Sequence, residues 1–417
     1  VSTLWHVHFT GGEKVAWALD EDLRVAREAV EGHVVPVSLP AARIVHSAYW
    51  PRLLDFGERA VRGKKLICFA DNPPVYSLTQ PEFSQAAARV DLWIARTREA
   101  EAQFRMLGLP VSRAPYTVDA TIFRTLENDG GLRHQLGIDK NAFVIGNFHR
   151  DTEGTDLRRL KRQKGADILF DIAKELYQRL PNLVVLLAGP RRHWLRRRLT
   201  AAGIPFRFHG RIGPNDQDDY DWNILPRTEL NRLYQALDVT VVPSRWEGGP
   251  HSLLEALFAG QAVISTPVGI ARDLLPAEMM FRSVDEAVRL LENHARTGSL
   301  REATYLASRR ADRENSTAAL SEALISIYQE LPRGPERPMA HLSSAIASAL
   351  FRVRRRFGRR PVVFPPNDQS AMVDRIITKV QNRQGIPAQS AETALAVHDP
   401  VADEQALLGA ALFCQGR

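Results

Sequence analysis

A chain of 417 residues exceeds what one hydrophobic core organises, and at about 150 residues per domain it predicts two or three domains. With 44% hydrophobic and 25% charged residues, the composition excludes a wholly disordered, collagen-like or coiled-coil chain. The net charge of +7 points to an anionic partner, but residues 331–417 hold 12 Lys or Arg against 7 Asp or Glu, while residues 1–330 hold 43 against 41. A basic nucleic-acid surface over the main body is therefore disfavoured.

No apolar run reaches the roughly 18 residues of a membrane span, and the residues from Val1 lack the layout of a signal peptide. Cys68 and Cys414 are too few for a disulfide framework or a four-cysteine zinc site. A reducing, cytoplasmic setting is expected.

In chain order, Leu4 to Phe9 predicts a first strand, followed by Gly11 and Gly12. Helices are expected over Glu21 to Val30 and Arg98 to Leu107. Strands are expected over His33 to Leu39, Arg43 to Tyr49, Lys65 to Ala70 and Asp91 to Ala95. Tyr116 to Arg124 has no clear period and reads as a linker. From 143 to 295 the alternation is regular. Apolar strands at Phe143 to Phe148, Leu183 to Ala188, Phe206 to His209, Val239 to Val242 and Ala262 to Ser265 alternate with helices at Ala166 to Leu180, Arg192 to Ala202, Glu229 to Ala236 and Ser252 to Ala259. Short strands that are apolar along their whole length belong to a parallel sheet covered on both faces. Two α/β domains of Rossmann type are expected, over 1–125 and 126–330.

Residues 331–417 differ. Leu331 to Pro338 is a breaker-rich linker. Arg352, Arg354, Arg355, Arg356, Arg359 and Arg360 fall within nine residues with no acid among them. A basic helix over Met339 to Phe357 is expected, then a partly disordered tail. Two readings of the helix stand: it lies on an anionic membrane surface, or it packs back on the first domain with its arginines in water.

The chemistry-bearing stretch runs from Pro243 to Gly260. A buried strand enters a loop containing Gly248 and Gly249. Pro250 stands where a helix begins, since its fixed φ suits the first turn. The glycines admit a ligand against bare backbone, and the N–H groups of a helix start attract an anion. Open α/β sheets bind ligands at this, the carboxyl, end of their strands. Leu253, Leu254, Leu257 and Phe258 share one helix face, and Glu255 lies away from them beside His251, Ser252 and Ala259. Either Glu255 accepts hydrogen bonds from two hydroxyls of a ligand, or it is a solvated residue of a surface helix.

Seven residues separate Glu247 from Glu255, and the run from Glu247 to Gly269 resembles the E-x7-E signature of retaining GT-B glycosyltransferases of family 4. Further matches follow in order: Gly11 and Gly12, Thr117 to Phe123, Gly146, Lys164 with Gly165, Leu187 to Pro190, and Tyr234 to Ser244. The resemblance is strong over about residues 140–280, looser over 1–125 and absent after about 335. It implies a GT-B fold, two doubly wound parallel-sheet domains facing a cleft, the second binding a UDP- or GDP-sugar and the first an acceptor. That acceptor would be a glycan, a lipid-linked saccharide or a small molecule.

The resemblance also implies roles. Glu255 would hold the ribose hydroxyls and Glu247 would lie near the donor sugar. The N–H groups of Gly248 and Gly249, ahead of Pro250, would lie near diphosphate or sugar. Arg211 and Ile212 follow Gly210 at the turn beside the nucleobase. Lys164 matches the lysine that neutralises the diphosphate. Its arginine partner usually follows the strand-end glycine, where this chain has Asn147. Arg150 is the candidate, against the alternative of a surface arginine. No metal is implied. The acidic run Asp216 to Asp221 reads as a solvated insertion. On the acceptor side, Gly11, Gly12, His46 and Asp71 are candidates; Asp71 lies near where many relatives carry a histidine, and His46 equally reads as a structural histidine. The expected activity is hexosyl transfer with retention and without cofactor. Nucleotide-sugar epimerisation or hydrolysis, and a non-catalytic binding protein, are the competing readings.

Overall fold

Strands that bury both faces assemble into two separate parallel sheets in the computed structural model. The structure describes residues 4–331, apart from 12–17, 71, 73, 75–76, 78–79, 81, 128–130, 154–155 and 214–216. The described chain forms two units, one of residues up to Thr117 together with those from Thr317 onward, the other spanning Val118–Ser316.

The first unit contains β1 (Trp5–Thr10), β2 (Val34–Pro36), β3 (Ile44–Ser47), β4 (Lys65–Ala70), β5 (Leu92–Ala95) and β6 (Val111–Arg113). They lie in the order β2-β1-β3-β4-β5-β6, every pair parallel, with Val7 opposite Ile44. The direction of winding reverses between β1 and β3, where a ligand crevice forms in such sheets. Val25, Ala26 and Val30 of the first helix, Ala18–Ala29, and its exit cover one face with Ile67, Phe69 and Ile94. Leu320, Leu324, Ile327 and Tyr328 complete that cluster from the helix Thr317–Glu330. The domain boundary expected at 330 is therefore corrected. Those side chains find their apolar partners in the first unit, so the chain returns to it at Thr317.

The second unit holds β7 (Phe143–Asn147), β8 (Thr152–Glu153), β9 (Asp156–Leu160), β10 (Leu183–Ala188), β11 (Phe206–His209), β12 (Val239–Val242) and β13 (Ala262–Ser265). Its main sheet has the order β11-β10-β7-β12-β13, all parallel. This is a doubly wound sheet whose switch point falls between β7 and β12. The strands there are buried along their whole length, as their near-continuous apolar sequences require. The pair β8-β9 is an antiparallel hairpin in the β7 exit. Among the described residues, no helix is long and apolar enough to cross a membrane.

Candidate active site

Backbone contacts that only glycine permits draw loops together at the switch point of the second unit. Gly165 has a φ of +63°, and a Cβ there would lie 1.8 Å from the carbonyl oxygen of Pro243. Lys164 is thereby held against the exit of β12. Gly269 has a φ of +51°, and its Cβ would meet the Gly248 carbonyl oxygen at 2.5 Å. The loop from Glu247 to Pro250 is thus clamped from behind. Pro250, at the N-cap of the helix His251–Phe258 that follows, makes no side-chain capping hydrogen bond.

Within this frame Lys164 Nζ forms an ion pair with Glu247 Oε1, which also accepts a hydrogen bond from Ser244 Oγ at 2.9 Å. Glu255 is buried, and Tyr234 donates its hydroxyl proton to Oε2 at 2.8 Å. Burial and the adjacent Glu255 hold the Tyr234 hydroxyl well above its ordinary pKa, so the tyrosine remains a donor. The solvated alternative for Glu255 is excluded, because its helix is covered on this side.

Asn147, which stands where an arginine was expected, is buried at the end of β7. Its Nδ2 donates to Val241 O at 2.9 Å, and its own carbonyl and Oδ1 accept from Arg192 Nη2 at 2.9 and 3.1 Å. His149 follows, its Nε2 2.6 Å from Ser252 Oγ in the first turn of the His251–Phe258 helix. Burial, then Lys164 and Arg192, drive the His149 pKa well below its ordinary value, so the ring is neutral. Arg150, the expected second cation, is half-buried beside it. The guanidinium that occupies the strand end comes instead from Arg192. It is fully buried, and burial lowers its pKa to about 10, with Asp151 opposing, which leaves it charged. The sequence reading missed both His149 and Arg192. The only local signal was the Arg191-Arg192 pair after Gly189 and Pro190.

Arg191 itself adopts a left-handed conformation, with a φ of +58°. Such a backbone costs a non-glycine residue about 1–2 kcal/mol. Asp218 and Asp219 offset it: Arg191 is bidentate on Asp218 at 3.0 and 2.7 Å, and its N–H donates to Asp219 at 2.7 Å. Burial opposes ionisation of Asp219, but hydrogen bonds from His193 and Arg191 outweigh it and keep the carboxyl below its usual range. The solvated reading of this acidic run is thus corrected for Asp219, which is buried; Asp218 is exposed while paired with Arg191, and Asp216 lies outside the described residues. Asn223 clamps the turn after β11 by accepting from Arg211 N at 2.7 Å and donating to Arg211 O at 3.0 Å. Ile212, beside it, is 72% exposed.

In the first unit Gly11 follows β1 with a φ of +104°, and a Cβ there would lie 2.7 Å from the N atoms of Ala48 and Tyr49. It therefore sits tightly against the β3 exit at that sheet's switch point. His46 is a core residue, its Nδ1 2.7 Å from the Tyr328 hydroxyl and its ring between Phe9 and Phe69. Burial, aided by Arg96, lowers its pKa to about 3. This placement is that of the structural histidine rather than of a side chain open to an acceptor. Gly12 and Asp71 lie outside the described residues. Among the described residues, no three His, Cys, Asp or Glu side chains gather as a metal site.

Residues 157–287 match the profile of the family described as Glycosyl transferases group 1. Over 258 residues, 59% of this chain and 67% of the other, the chain is 24% identical to the lipopolysaccharide core biosynthesis mannosyltransferase LpsB of Rhizobium meliloti. Among solved structures it resembles Anabaena HepE in complex with UDP and glucose, with a TM-score of 0.61 and 14% identity over 78% of this chain and 100% of that one. It also resembles sucrose-phosphate synthase from Thermosynechococcus elongatus, with a TM-score of 0.56 and 15% identity over 76% and 79%. With its two parallel-sheet units, the chain has the GT-B fold.

Proposed function

We propose that the chain is a retaining glycosyltransferase of the E-x7-E class that moves a hexosyl group from a UDP- or GDP-sugar to a glycan, lipid-linked or small-molecule acceptor. The observation that carries this is the Lys164–Glu247 ion pair on the loop that leads into the helix bearing buried Glu255, at a sheet switch point. The family profile over residues 157–287 and the mannosyltransferase relative support the same reading.

Cleaving the bond between sugar and diphosphate builds negative charge on the departing phosphate. Lys164, the N–H groups at the start of the His251–Phe258 helix and the charge of Arg192 behind Asn147 form a fixed positive field there, with Arg150 as a further cation. Such a field stabilises developing charge without rearranging. Glu255, oriented by Tyr234, accepts from the ribose hydroxyls. Glu247, oriented by Lys164 and Ser244, faces the donor sugar. The leaving phosphate receives the acceptor proton on the same face, which retains the anomeric configuration, and no metal takes part.

Thermal shift with UDP, GDP, ADP and their sugars tests the donor. At 100 times its Kd a true ligand adds about 2.7 kcal/mol. Transfer to an acceptor should then persist in EDTA, and the product should keep the donor's anomeric configuration. No stabilisation by any nucleotide, or sugar released only to water, would remove the proposal; activity abolished by EDTA and restored by magnesium would remove its metal-free mechanism.

A further inference from the structure

The β8-β9 hairpin and the neighbouring helix His193–Ala201 form a second feature that the reaction above does not use. Asp151, at the foot of the hairpin, accepts from the N–H groups of Trp194 and Leu195 at 3.1 and 2.9 Å, which pins the helix start to the hairpin. Arg197 donates to Leu157 O at 2.6 Å and fastens the next turn. Between the two lies a groove of about 440 Å³, lined by Arg158, Trp194, Arg197 and Arg198. Trp194 is half-buried, with the Phe170 ring 6.2 Å away and the Arg198 guanidinium 5.2 Å from its own ring. Among the described residues no carboxylate is paired with Arg158 or Arg198. Arg159 and Arg162 add exposed positive charge on the same segment.

We propose that this groove is a second binding site, for an anionic saccharide: a sugar bearing a carboxylate or phosphate ester. Guanidinium groups fork onto such oxyanions in bidentate fashion, and an indole offers a flat apolar face to the C–H side of a sugar ring. A lipid surface is the poorer fit. Among the described residues the exposed large apolar ones are Leu4, Ile212, Trp222, Ile224, Tyr305 and Leu306, and none of these lies on the hairpin or this helix. An interfacial segment needs protruding apolar side chains, whereas Trp194 is recessed. The choice of a saccharide among anions rests on the glycosyltransferase reading; the positive, aromatic groove does not.

The test is calorimetric titration of the whole protein with trigalacturonate, against maltotriose as the neutral control. A single-stranded oligonucleotide and phosphatidylglycerol vesicles are further arms, and UDP-sugar binding is measured on the same samples. Trigalacturonate should bind, maltotriose should not, and Arg158→Gln with Arg198→Gln, or Trp194→Ala alone, should weaken it about tenfold or more. UDP-sugar affinity should stay unchanged in these variants. Absence of trigalacturonate binding, equal binding by the variants, or stronger groove-dependent binding of oligonucleotide or vesicles would each overturn the site. If trigalacturonate binds through these residues while no nucleotide binds at all, the groove stands and the transferase reading falls.

Discussion

Tyr234 donates to Glu255, and the hydroxyl of Tyr328 meets His46. The two buried pairs have different consequences. Glu255→Gln keeps shape and removes charge, so the fold should persist while transfer falls. Hydrogen bonds to charged groups contribute about 1.5–3 kcal/mol, so a loss of about tenfold to a hundredfold in kcat/KM is expected. Unchanged donor affinity and turnover in the folded variant would remove Glu255 from the ribose site. His46 titrates with the fold instead. Its folded pKa of about 3 lies below its ordinary 6.5, so the unfolded chain binds the extra proton between those values. The stability it contributes is complete above about pH 6.5 and declines as pH falls toward 3, by about 1.4 kcal/mol per unit. His149 is lowered in the same direction, by burial and then by Lys164 and Arg192, so its contribution likewise declines as pH falls below the ordinary histidine range. Chemical denaturation from pH 7 to 4.5 should therefore show a shallower loss in His46→Asn than in the parent. Equal slopes would mean that His46 is charged, or solvated, in the folded protein. His149 and Arg192 were illegible beforehand because their roles arise from partners remote in the chain: Ser252 is 103 residues from His149, and Asn147 is 45 from Arg192.

At the scale of elements, glycines set the site. Gly269 is not itself placed near the substrate, yet a Cβ there has no room beside Gly248 O, and its φ of +51° is unfavourable for alanine. Displacing the Glu247 loop should cut turnover strongly, at a stability cost of about 1–3 kcal/mol. Wild-type kinetics for this variant would show that the loop has slack the backbone does not display. The sheet of the second unit was legible because β7, β10, β12 and β13 bury nearly every residue, and such strands announce themselves without any period. The hairpin was not. Asp156–Leu160 reads Asp-Leu-Arg-Arg-Leu, its side chains are exposed or half-buried, and its pairing depends on a partner two residues long. The strand, loop and helix from Val239 to Phe258 could be placed beforehand, since they lie in consecutive residues.

For the whole molecule, the helix Thr317–Glu330 decides where one unit ends. Its apolar residues in isolation do not say which core they join; Leu320, Leu324, Ile327 and Tyr328 turn out to seal the first. A chain ending at Ser316, compared with one ending at Leu331, should lose the cooperative unfolding of the first unit while the second keeps its own transition. Removing even one buried leucine costs about 2–5 kcal/mol. Two undiminished calorimetric transitions in the shorter chain would contradict this. The same helix also orders events at the ribosome. Residues 118–316 form an uninterrupted stretch that can close its core as soon as it emerges, whereas the unit begun at β1 must wait, its sheet lacking one cover, until the Tyr328 segment has been synthesised. Domains fold as units during translation, ordinarily from the N-terminus onward; here the order is inverted, and the last unit to be completed is the one whose strands were made first.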